Sequence, residues 1–113
     1  MRFALLGLFL LFGCAETRLV RLRGVTPNDR SDVRFVLLDQ QWQPLREHLI
    51  EVTLDGRVIA SAITDKQGVA QMTMPPGAYT LKFSWRGFDI GEKSDWRIGP
   101  GRWRYRMIWF VVD

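Results

Sequence analysis

Three features of the chain predict an all-β fold. Apolar residues recur at every second position through most of residues 33–113, and turn-forming residues interrupt them every eight to twelve positions. Beyond residue 13, no amphipathic pattern long enough for a helix of ten residues is present. Short alternating strands punctuated by turns, with no helix to cover a sheet, predict a small antiparallel β-sandwich of about seven strands. An N-terminal export signal precedes it.

The signal is read from Met1-Arg2, a positive start, followed by Phe3–Phe12, which contains only Phe, Ala, Leu and Gly. A charged n-region, an apolar h-region and a small residue at the cut mark a secretory signal. The stretch Leu11-Phe12-Gly13-Cys14 resembles the bacterial lipobox. That resemblance implies a lipoprotein signal peptide over 1–13, cleavage before Cys14, and attachment to a membrane through lipid on Cys14. Ala15 stands where inner-membrane lipoproteins often carry Asp, so the resemblance also implies the outer membrane, with the domain facing the periplasm. Residues 3–13 number eleven, against the roughly 20 needed to span a bilayer as a helix. Cys14 is the only cysteine, which excludes an internal disulfide. One acyl chain anchors only marginally, at about 0.8 kcal/mol per buried CH₂, whereas the two or three chains of such a terminus hold permanently.

Cleavage would leave 113 − 13 = 100 residues, enough for one domain and one core. With 47% hydrophobic and 25% charged residues the composition is that of a globular protein. The formal charge is +4, and 13 of the 16 basic residues are Arg, which suits forked bonds to carboxylate or phosphate.

Residues 14–32 read as a lipidated tether or a short first strand. They are polar and Arg-rich, with Gly24, Pro27, Asn28 and Asp29 as breakers and Arg18–Arg23 as the strand candidate. The sandwich proper is expected over 33–113. Val33–Leu38 is an apolar strand, and Asp39–Glu47 with Pro44 is a loop. In His48–Leu54, Ile50, Val52 and Leu54 share one face. Asp55-Gly56 predicts a type I′ hairpin turn, with Arg57–Thr64 as the return strand. Asp65–Gly68 is the next turn, Val69–Met74 the next strand, and Pro75-Pro76-Gly77 another turn, in which Gly77 is expected to hold a conformation that disfavours a side chain. Ala78–Trp85 alternates, with Tyr79, Leu81, Phe83 and Trp85 inward. Residues 88–95 read as irregular, Trp96–Ile98 as a short strand, and Arg102–Val112 as the last and longest strand.

Thr64-Asp65-Lys66-Gln67-Gly68 followed by Pro76-Gly77-Ala78-Tyr79-Thr80-Leu81 resembles a transthyretin-like or carboxypeptidase-regulatory-like sandwich domain. Such modules are sandwiches of Ig-like build that serve many roles, so the resemblance implies a fold and little else.

Catalytic chemistry has few candidates. One histidine, His48, stands at a loop edge with no nucleophile elbow near it in sequence, and zinc ligands of the N/S type are missing. No Gly-rich phosphate loop opens a helix. The expectation is therefore a non-enzyme with no cofactor, no metal and no nucleic-acid partner. The segment that stands out is Gly101–Asp113. In a strand, Arg102, Arg104 and Arg106 project on one side and Trp103, Tyr105 and Met107 on the other, with no acidic residue before Asp113. This is either a solvated Arg stripe ending in a strand buried under residues 88–99, or a cationic surface with Trp109 beside it. On the second reading Arg102, Arg104, Arg106 and Trp109 are candidate partner-binding residues. The expected function is a lipid-anchored, non-catalytic accessory or adaptor module that binds an envelope protein near the outer membrane. The alternative is a domain that binds envelope glycan, peptidoglycan or lipopolysaccharide.

If Cys14 carries the anchor, Cys14→Ser will abolish lipid labelling and release the domain from membranes. Unchanged membrane partition of that variant refutes the lipoprotein reading.

Overall fold

The computed structural model describes residues 14–24 and 29–111. The signal expected at 1–13, the breakers Pro27 and Asn28, and Val112 lie outside the described residues. Eight strands form: β1 (Cys14–Leu22), β2 (Ser31–Asp39), β3 (His48–Leu54), β4 (Arg57–Ile63), β5 (Val69–Met74), β6 (Gly77–Trp85), β7 (Phe88–Ile98) and β8 (Gly101–Trp109). They build two four-stranded sheets, ordered β1-β8-β2-β5 and β4-β3-β6-β7, packed as a sandwich. Every pair is antiparallel except β2 with β8, which run parallel. Of the two forms open to residues 14–32, Cys14–Leu22 takes the strand, paired along β8, so the first sheet begins well before residue 33.

Alternation sets the inner faces. Val33, Phe35 and Leu37 of β2 meet Ile50 and Val52 of β3 and Leu81 and Phe83 of β6 in one cluster. Tyr105 and Met107 of β8, Met72 and Met74 of β5, and Trp96 and Ile98 of β7 complete it. Tyr105 stands edge-on to Phe35, with ring centroids 5.9 Å apart, and Trp96 lies 5.6 Å from the same ring. Offset and edge-on rings are the favoured packings. Trp85, expected inward, is half-exposed at the end of β6.

Turn chemistry acts where it was expected at two places. Asp55 and Gly56 both have positive φ, 52° and 79°, as a type I′ hairpin requires. The Asp65 carboxylate accepts the N–H groups of Gln67 and Val69 at 2.8 and 3.0 Å, which holds its pKa below the usual carboxylate value. Gly68 closes that turn with φ 77°. Gly77 differs from expectation: it opens β6 without a positive φ. A Cβ there would meet the Tyr79 hydroxyl at 3.5 Å and its ring at 3.6 Å, both ordinary contacts. The turn is held instead by Tyr79, whose hydroxyl donates to the Pro75 carbonyl at 2.5 Å.

The 88–98 segment is also a correction. It is one continuous strand of 11 residues, the longest among the described residues, while β8 stops at Trp109 after nine. Two irregularities in its pairing with β6 hide the period of two. Each bulge inserts a residue and shifts the phase of the side chains. Asp95, at φ 55°, lies within one of them, and Ile90 falls in the other.

Two glycines separate backbone strain from crowding. Gly56 has open space where a Cβ would stand, whereas at Gly68 a Cβ would lie 2.5 Å from the Leu37 carbonyl oxygen. Gly56→Ala therefore incurs only the positive-φ penalty, roughly 1–2 kcal/mol. Gly68→Ala also pushes on backbone and disturbs the bond from Leu37 N to Gly68 O, 2.8 Å long. At about 4–8 °C per kcal/mol for a domain of this size, thermal melts should show Gly68→Ala losing at least twice the temperature that Gly56→Ala loses.

Candidate functional site

The outer face of the β1-β8-β2-β5 sheet gathers the arginines. Residues directly opposite across a sheet share a face, so the register defines its rows. Leu22, Arg102, Asp32 and Thr73 form the first row. Val20, Arg104, Arg34 and Gln71 form the second, and Arg18, Arg106, Val36 and Val69 the third. Neighbouring strands are about 4.8 Å apart and successive rows about 6.8 Å. Five guanidinium groups thus share one face. Arg34 stands directly beside Arg104, and Arg18 beside Arg106.

Little neutralises them. In these three rows the acidic residue is Asp32, and it already accepts the Thr73 hydroxyl at 2.7 Å. Among the described residues the ion pairs are Arg86 with Glu47 and Arg97 with Asp95, neither on this face. Glu51 lies on the other sheet, opposite Lys82. Like charges directly opposite destabilise a sheet. At about 5 Å in water each such pair costs about 1 kcal/mol before screening.

The ends of the stripe are held and its middle is free. Arg102 Nη1 donates to the Arg23 carbonyl at 3.0 Å. The Arg106 guanidinium lies over the Trp42 ring, 4.9 Å from its centroid, and Trp42 is itself exposed on the β2–β3 loop. Arg34 and Arg104, like Arg18 on β1, are exposed, with no partner among the described residues.

The sequence reading therefore placed Arg102, Arg104 and Arg106 on one outward line, and they lie on one. Trp109 is a correction. It is 3% exposed, packed edge-on against Phe83 at 5.1 Å, and unavailable to a partner. Gly91 makes this possible, because a Cβ there would meet the Trp109 ring at 3.1 Å. Arg18, Arg34 and Trp42 were not anticipated in the site. Arg34 was visible as an outward residue of its strand, but its place beside Arg104 depends on a pairing between segments some 70 residues apart.

Elsewhere, His48 Nδ1 lies 2.7 Å from the Arg46 carbonyl, and its ring stacks on Trp85 at 6.2 Å. Burial pushes its pKa below 6.5, against the opposing pull of that carbonyl and of Glu47. Among the described residues no three His, Cys, Asp or Glu side chains gather to hold a metal. An open hollow at the far end, lined by Thr53, Asp55, Tyr79 and Asp95, contains neither Trp nor Arg. No known protein family and no curated protein sequence matches this chain.

The crowding of positive charge has a measurable consequence. Thermal stability should rise as salt increases from low ionic strength to about 0.15 M, where the Debye length is about 8 Å. Arg34→Gln with Arg104→Gln should raise the low-salt melting temperature and flatten that dependence. A double variant less stable than the parent at low salt would mean that the two cations are compensated.

Proposed function

We propose that the protein is a lipid-anchored, non-catalytic binding module of the bacterial cell envelope. Its cationic sheet face receives an acidic surface of an envelope protein. The observation that carries this reading is the set of five arginines on one sheet face, three of them exposed and without a partner among the described residues. A structural sheet face gains nothing from placing Arg34 against Arg104. An anionic partner relieves the repulsion and supplies the carboxylates that guanidinium forks bind in pairs. A sheet face is flat, which suits a protein surface, whereas a glycan site needs exposed aromatic rings converging in a groove. Of the two exposed Trp residues, Trp42 is on the β2–β3 loop and Trp85 ends β6 on the other sheet, and neither lines the hollow at the far end.

A photo-crosslinking residue at position 71, on the same face but outside the Arg set, should capture a discrete envelope protein in intact cells. The Arg34→Gln, Arg102→Gln, Arg104→Gln, Arg106→Gln variant should stay folded and membrane-bound yet lose that adduct. The isolated complex should weaken as salt rises. A folded variant that keeps the adduct eliminates this face as the binding site.

A further inference from the structure

The exposed aromatic residues are not spread over the surface. Trp42 (55% exposed), Trp85 (37%), Phe88 (68%) and Phe110 (49%) include every aromatic side chain among the large exposed hydrophobics of the described residues, together with Ile63 at 62%. All five lie at one end of the sandwich. Trp42 follows β2, Ile63 ends β4, Trp85 ends β6, Phe88 begins β7, and Phe110 follows β8. Register joins these positions. His48 pairs with Trp85 and Trp85 with Phe88 in one sheet, while Gln40 and Val111 exchange hydrogen bonds of 2.8 and 2.9 Å beside the other. The loop from β2 to β3 and the turn from β4 to β5 close the same end.

Cys14 is at that end too. It pairs with Trp109, which in turn pairs with Asp39. The ladder of β1 with β8 already includes Cys14, so a lipid carried by that residue would be attached at this end of the sheet. Adjacent strands are about 4.8 Å apart and packed sheets about 10 Å. The whole rim therefore stands within about 20 Å of Cys14.

We infer that this rim is a membrane-contacting surface, which seats the sandwich end-on in the headgroup region of a phospholipid bilayer. The inference rests on the anchored reading above. Its chemistry is that of an interface: rings with one apolar and one wet side favour the headgroup level. Two of the rings carry a cation. Arg106 lies over Trp42 at 4.9 Å and Arg86 over Trp85 at 5.1 Å, so a guanidinium can meet lipid phosphate while its ring faces hydrocarbon. The opposite end presents the aliphatic Leu54, Val58 and Ile59 beside Asp55, and none of the exposed rings.

The test uses the full chain, lipidated in bacteria and reconstituted into phosphatidylethanolamine–phosphatidylglycerol vesicles. A nitroxide label is placed at Gln41→Cys in the rim or, separately, at Arg57→Cys at the far end. With Cys14 acylated, each introduced cysteine is the one free thiol. Collisions with a water-soluble nickel chelate should fall several-fold at position 41 relative to 57, and collisions with oxygen should rise. Adding Trp42→Ser and Phe88→Ser should erase that difference in protein that still floats with the vesicles. Equal accessibility at 41 and 57 in vesicle-bound protein overturns the inference and leaves the anchor standing. Protein that does not float with the vesicles overturns the anchored reading, and this inference with it.

Discussion

The parallel pairing of β8 with β2 governs both faces of the first sheet. It runs through nine residue pairs, from Ser31 with Gly101 to Asp39 with Trp109. A slip of one residue would turn every side chain over. Arg102, Arg104 and Arg106 would enter the core, and Trp103, Tyr105 and Met107 would face solvent. Both ends of the pairing are clamped against such a slip. At one end Gly101 N donates to the Arg30 carbonyl at 3.1 Å, and the buried Ser31 hydroxyl and the Trp103 indole both donate to the Gly99 carbonyl, at 2.6 and 3.0 Å. At the other, the Gln40 amide both donates to and accepts from the Val111 backbone. The apolar content of β8 and its charge are thus sorted by a few polar contacts at its ends.

Local chemistry was legible in the sequence, and long-range pairing was not. Strands β2 to β6 could be read because one face of each is buried and because Asp55-Gly56 and Asp65–Gly68 mark their turns. β1 stayed undecided for a physical reason. It is an edge strand whose Thr17, Leu19 and Arg21 remain exposed although they share the core-side face with Tyr105, so burial writes little pattern into it. β7 was missed because two bulges reset its phase. Trp109 was misplaced because its burial depends on a glycine on another strand, Gly91, that leaves room for the indole. The line of Arg102, Arg104 and Arg106 follows from strand geometry alone. The doubling of that line by Arg18 and Arg34 needs the sheet order, which no local pattern contains.

The two surfaces proposed for this protein lie at right angles. The apolar rim closes one end of the strands, and the arginines line a face parallel to them. A sandwich standing on its rim would hold the Arg face upright, with the Arg18–Arg106 row nearest the lipid and the Arg102 row farthest from it. A partner could then approach from the side, along the bilayer plane, without displacing the domain. Trp42 serves both surfaces, since it belongs to the rim and lies under Arg106.

The starting point of β1 also decides how the molecule bears a pull. Its first residue is Cys14, and its ladder with β8 runs on to Leu22 opposite Arg102. A partner gripping the Arg face holds β8, β2 and β1 together. If the proposed anchor is on Cys14, tension between that partner and the bilayer would run lengthwise along β1, so the ladder would be loaded in shear and its hydrogen bonds would share the strain. Had the membrane attachment joined at a turn across the strands, the same tension would open them one at a time, like a zip. On the anchored reading proposed above, the placement of a single edge strand would make this small domain a stiff mechanical link rather than a ball on a string.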